Sequence, residues 1–168
     1  MEPAGYDPRT LKGMGLSFAV SDRGACHLRG TFYKAELAGL IDTNKTDGVA
    51  ELFIDFEERA VLNDFMILCR FYRDFYAWEE LSKIIAVTTG MSMDKTNLRQ
   101  MASRIVDEIR RFNLREGMTT EDDRLPERFF KEKLKDGNRI TKEYMTTLVQ
   151  GYYRLRGWDE KGRPLAKT

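Results

Sequence analysis

The chain carries a single histidine, His27, and only two cysteines, Cys26 and Cys69, among 168 residues. One imidazole excludes hydrolytic metal centres built from several histidines. Two thiols cannot make a disulfide framework, so a reducing, cytoplasmic setting is expected. Long apolar runs are missing as well: none approaches the roughly 20 residues of a membrane span, and no charged segment with an apolar stretch behind it opens the sequence. Charge of one sign is also lacking, with 28 Lys+Arg against 27 Asp+Glu. Neither nucleic acid nor a membrane surface is therefore expected as a partner, because both call for a basic excess on one face. There is no G-x-x-x-x-G-K-[ST] phosphate loop and no glycine-flanked nucleophile elbow.

What is present is ordinary globular material, 42% hydrophobic and 11% aromatic, of a length that suits one domain. The pattern is helical nearly throughout. Asp7-Pro8 reads as an N-cap and first-turn proline leading into an apolar face that runs to Ser21. A break follows at Asp22-Arg23-Gly24, and Tyr33 to Leu40 has room for a short helix. From Val49, apolar residues recur every three or four positions, predicting a long amphipathic helix that ends near Cys69. Phe75 to Val87 predicts another, with Tyr72, Phe75, Tyr76 and Trp78 as core aromatics. Asp94 caps a stretch through Arg115 that Gly117 stops, and Thr141 to Arg156 is the last helix, with Gly157 beyond it. The expected fold is an all-α, multi-helix bundle. Arg110, Arg111 and Arg115, like Lys131, Lys133 and Lys135, read as solvated faces. The tail from Gly157 to Pro164 reads as a turn toward something outside the sequence.

Two segments could carry chemistry. Arg23-Gly24-Ala25-Cys26-His27 sets a thiol beside the one imidazole, although neighbouring residues point in different directions and do not readily share a ligand. It is either a turn holding a buried Cys and a hydrogen-bonded His, or a place where His27 gives and takes protons near neutrality. In Asp64-Phe65-Met66-Ile67-Leu68-Cys69-Arg70-Phe71, a carboxylate lies within an apolar run and needs a partner. Asp64 and Cys69 stand about 140° apart on an ideal helix, so they address one site only if the helix ends or distorts between them.

Together the segments resemble the C-terminal helical region of the aldehyde ferredoxin oxidoreductase family. Lys12-Gly13-Met14-Gly15-Leu16 and Ser21 to Leu28 are similar to its opening, and Asp64 to Cys69 is similar to its second D-x-x-G-L-C segment. Leu125-Pro126-Glu127-Arg128-Phe129 and Tyr152 to Asp159 follow in the family's order. Ile67 stands where that pattern has glycine.

The resemblance implies a tungsten (or molybdenum) bis-pterin and a [4Fe-4S] cluster, with aldehydes oxidised to carboxylic acids and electrons passed to ferredoxin. By position, Cys69 would be one cluster thiolate of four. Asp64 would contact a pterin through paired hydrogen bonds, and Leu68 would contribute backbone contacts. His27 would polarise the aldehyde or shuttle a proton, with Arg23 and Arg70 as possible counter-charges. The family's N-terminal cofactor-binding domain, its Cys-x-x-Cys-x-x-x-Cys run and its first D-x-x-G-L-C segment do not occur in these residues. The N-terminal part of the same chain is thus an implied partner, a homodimer is possible, and the segment alone is expected to be inactive. Alternatives are a related tungsten enzyme of the benzoyl-CoA reductase type, or a non-catalytic helical scaffold.

Overall fold

The computed structural model describes residues 5–42 and 44–166. Among them are eight α-helices and no strand: α1 (Lys12–Val20), α2 (His27–Gly30), α3 (Tyr33–Leu37), α4 (Val49–Phe65), α5 (Trp78–Thr89), α6 (Lys95–Arg115), α7 (Arg128–Lys131) and α8 (Lys142–Arg156). Helix α4 lies at the centre, against α1, α2, α6 and α8, and α5 packs on α6. The all-α expectation is borne out.

The position of α1 follows from its sequence. Every residue from Gly13 to Val20 is buried, as expected of a helix that is apolar all round. Its glycines let neighbours approach: a Cβ on Gly13 would stand 2.6 Å from the Phe32 ring, and one on Gly15 would stand 3.0 Å from the Met145 sulfur. Asp7 does not cap this helix. Its side chain accepts from the Arg9 backbone N–H at 2.9 Å and its carbonyl closes a turn onto Leu11. The N–H groups of Gly13 and Met14 donate instead to the Glu36 carboxylate, at 2.8 and 2.9 Å, and that of Met14 is shared with the Leu11 carbonyl. A residue 22 or more positions away therefore caps the helix, and no local pattern reveals it.

Other ends obey local rules. Asp94 accepts from the Asn97 N–H at 2.8 Å and Thr141 from the Tyr144 N–H at 3.1 Å, both N-cap bonds. Helix α3 stops three residues before Leu40, whose N–H returns to the Ala35 carbonyl across Gly39. Two expectations on burial need correction. Tyr72 and Phe75 are exposed, and only Trp78 of the four aromatics is fully buried, because residues 70–75 form a 3₁₀ turn on the surface. Arg110 is buried rather than solvated, with its guanidinium on the Asp123 carboxylate and the Gly162 carbonyl. The tail that supplies Gly162 packs on its own chain: Trp158 is buried and its indole N–H donates to Asp107 at 2.7 Å.

Candidate functional site

Helix α4 ends at Phe65, four residues short of Cys69. The Leu68 N–H reaches back to the Asn63 carbonyl at 2.8 Å and the Ile67 N–H to the Asp64 carbonyl at 3.0 Å, the paired bonds of a Schellman C-terminus. The chain thereby leaves the helix between Asp64 and Cys69, as the two must if they are to share one surface. This ending needs a left-handed residue at Ile67, whose φ is 59°. Glycine takes that conformation freely, whereas a β-branched residue is strained in it. Thr31, which ends α2, is likewise left-handed at φ 47°. Among the described residues these are the two non-glycine positions with positive φ; one ends α4 inside the Asp64–Phe71 segment and the other ends α2, which His27 opens.

One carboxylate ties the segments together. Asp64 Oδ2 accepts from Arg29 Nη1 at 2.5 Å and from Arg70 Nη2 at 2.6 Å, and Oδ1 accepts from Arg70 Nε at 2.8 Å. Arg29 also meets Asp22 at 2.9 Å. Asp64 thus has partners, as expected, but it is exposed at the end of α4 rather than buried in an apolar face, and the sequence signals Arg29 only by its place two residues after His27. His27 opens α2 and is half-buried, its ring 5.5 Å from that of Tyr6, which stacks on Tyr33 at 4.2 Å. Arg73 donates to the Tyr33 hydroxyl at 3.1 Å, which joins this aromatic pair to the segment after Cys69.

Cys26 and Cys69 differ. Cys26 is partly covered, and Arg23 Nη2 lies 3.1 Å from its sulfur. Burial works against its ionisation, but the Arg23 guanidinium and the backbone N–H groups of Leu28 and Arg29 outweigh burial and hold the thiol below its ordinary value. Cys69 is exposed, and among the described residues its sulfur makes no hydrogen bond. Around it stand Phe65, Ile67, Phe71, Tyr72 and Phe75, all more than half exposed, with Ile67 at 92%. So much apolar surface beside one open thiol marks a face that another surface covers.

Donor chemistry decides how far this face fits the implied groups. No set of three or more His, Cys, Asp and Glu able to hold a metal exists among the described residues, so Cys69 offers one ligand only. Its accessible sulfur fits that single role. A carboxylate has about four acceptor positions, and three on Asp64 are filled. One position on Oδ1 remains, which fits a single N–H donor better than a paired edge. The Leu68 N–H is engaged in closing α4, so further contacts there fall to its carbonyl.

A cavity of about 650 Å³ lies beside the His27 segment, lined by Tyr6, Gly24, Ala25, Phe18, Leu125 and Phe129 with arginines among them. Two of the motifs, Ser21 to Leu28 and Leu125 to Phe129, contribute to its walls, but they lie about a hundred residues apart and only the fold brings them together. No helix among the described residues is long and apolar enough to cross a membrane.

The family described as "Aldehyde ferredoxin oxidoreductase, domains 2 & 3" matches residues 1–168. The tungsten-containing aldehyde ferredoxin oxidoreductase of Pyrococcus furiosus is 28% identical over 97% of this chain, and that of Thermococcus kodakarensis is 29% identical over 97%. The chain spans 28% of the length of each. A solved structure, the active-site complex BamBC of benzoyl coenzyme A reductase with 1,5-dienoyl-CoA, superposes with a TM-score of 0.62 over 74% of this chain and 19% of that one. At 24% identity this likeness concerns the fold. The resemblance read from the four motifs is borne out, and the chain belongs to the aldehyde ferredoxin oxidoreductase family.

Proposed function

We propose that the chain is the helical part of a tungsten- or molybdenum-pterin, iron–sulfur oxidoreductase that converts an aldehyde and water into a carboxylic acid, two protons and two electrons, with ferredoxin as acceptor. The observation that carries this reading is the Arg29–Asp64–Arg70 cluster. It ties the His27 segment to the Cys69 segment, which supports the reading that an imidazole, a carboxylate and an open thiol serve one site. A scaffold has no use for that combination, nor for two β-branched residues held left-handed beside it.

When bound, the metal and its pterins supply the two-electron acceptor chemistry. The residues of this chain do the rest. Cys69 would give one thiolate to the cluster, while Asp64 would receive a pterin N–H on its remaining Oδ1 position, with Leu68 close by. The second arginine on Asp64 fixes that carboxylate in orientation. His27, held against Tyr6, would donate to the aldehyde oxygen or take a proton from the attacking water. The apolar side chains around Cys69 would meet the N-terminal part of the same protein, which supplies the remaining thiolates.

Elemental analysis of the full-length protein, purified without oxygen, comes first. Tungsten or molybdenum together with iron supports the reading, and neither metal in a folded chain removes it. In that protein, Cys69→Ser is expected to lose cluster iron; unchanged iron refutes the ligand role. His27→Asn is expected to retain the metals and lower turnover by about 10²–10⁴-fold, and an unaffected turnover makes His27 structural. A reaction of the benzoyl-CoA reductase type keeps the same fold but answers to aromatic thioesters instead of aldehydes, so the two substrates presented to one preparation separate them.

A further inference from the structure

The 650 Å³ cavity beside the His27 segment has the size of a small-molecule site, and one of its cations is in no ion pair among the described residues. Of the three arginines in its lining, Arg9 holds Asp7 through Nε at 3.0 Å and Nη2 at 2.6 Å, and Arg128 holds Glu132 at 2.9 Å. The other lining carboxylate, Asp122, is engaged by the backbone N–H of Thr119 at 2.8 Å. Arg124 is left over. It is exposed in the lining and makes no ion pair or side-chain hydrogen bond among the described residues, although Asp122 and Glu127 are near enough to feel its charge. The rest of the wall is apolar, with Phe18 and Leu125 both buried beneath it and Phe129 held under the Arg9 guanidinium at 5.3 Å. Tyr6, Gly24 and Ala25 complete the lining where it adjoins His27.

An apolar wall, one uncommitted cation and a neighbouring proton-handling group together define a ligand. We infer that this cavity takes a substrate with an apolar, ring-sized body and a carboxylate that pairs with Arg124, its reactive carbonyl lying toward the Tyr6–His27 side. The inference rests on the aldehyde-oxidising reading for the carbonyl end, and on the cavity alone for the carboxylate end. A guanidinium–carboxylate contact in a partly enclosed pocket is worth about tenfold in affinity.

The test separates the two. Amide resonances of the 168-residue chain are followed by NMR during titration with 4-formylbenzoate and, in parallel, with benzaldehyde. Saturable shifts at Gly24, Ala25 and Phe129 are expected with 4-formylbenzoate, with a Kd about tenfold below that for benzaldehyde. Arg124→Gln, an exposed substitution that spares the core, is expected to abolish that difference. No saturable shift, or the same preference in Arg124→Gln, overturns the inference whether or not the enzyme is an aldehyde oxidase. In the full-length metal-loaded enzyme, the ratio of kcat/KM for 4-formylbenzoate to that for benzaldehyde is expected to fall about tenfold in Arg124→Gln, and an unchanged ratio also overturns it. Absence of viologen reduction with any aldehyde removes the proposed function, while the NMR result stands by itself.

Discussion

Two arginine–carboxylate clusters in this chain use the same chemical groups in opposite surroundings. In the first, Arg156 is buried between α8 and α4 and donates to Glu57 and to Glu58, the latter at 2.9 Å, while Arg99 takes the other Glu58 oxygen at 2.7 Å and the Tyr152 hydroxyl donates to Glu57. In the second, Arg29 and Arg70 converge on Asp64 at the half-exposed end of α4. The first is sealed by Phe53, Tyr152 and Trp158. The second is rimmed by exposed apolar side chains and by a strained turn. The sealed network pairs all four Glu57 and Glu58 carboxylate oxygens, as burial requires, whereas the open one keeps an acceptor position on Asp64 to spare.

That contrast can be broken most forcefully at Arg156. Arg156→Met leaves Glu57 without its cation and Glu58 with Arg99 alone, and is expected to cost about 3–5 kcal/mol in a denaturant titration. Asp64→Asn, in the open cluster, is expected to cost about 1 kcal/mol or less, because exposed pairs are worth little. Similar costs for the two would erase the distinction. Ile67→Gly sharpens it in the other direction. The substitution relieves the left-handed strain and is expected to stabilise the isolated chain by about 0.5–1 kcal/mol, and a loss of stability would mean that the Ile67 side chain makes contacts of its own.

The smallest effect is the pH dependence, which should run in opposite senses in the two regions. Burial raises the Glu57 carboxyl above its ordinary 4.5 in spite of Arg156. The folded state there holds its proton longer than the unfolded state, so this group's contribution is present below pH 4.5 and is lost as pH rises through the raised value. Asp74, near Cys69, is held below its ordinary 3.8 by the Lys34 ammonium. Its contribution is present above pH 3.8 and is lost as pH falls through the lowered value. Melting temperatures of Glu57→Gln and Asp74→Asn across pH 3 to 8 should flatten opposite limbs of the profile; flattening of the same limb would contradict these assignments.

Much of the fold was legible because local chemistry decides it. The caps at Asp94 and Thr141, the stop at Gly157 and the stripe of α6 depend on residues a few positions apart. The errors share one cause. Arg110 reads as a surface charge from its neighbours Arg111 and Arg115, and it is buried because Asp123 and Gly162 come to it from elsewhere. Tyr72 and Phe75 read as core by their hydrophobicity, and they are exposed because α4 ends before them.

The sequence by itself determined the long helices and the family to which the motifs belong. The tertiary structure alone decided that Glu36 caps α1, that Arg29 and Arg70 share Asp64, and that a cavity with one uncommitted arginine lies beside His27. Helix periodicity and capping act over four residues or fewer. Charge pairing and cavities depend on which distant side chains meet, and only the packing of α1 and α4 against their neighbours fixes that.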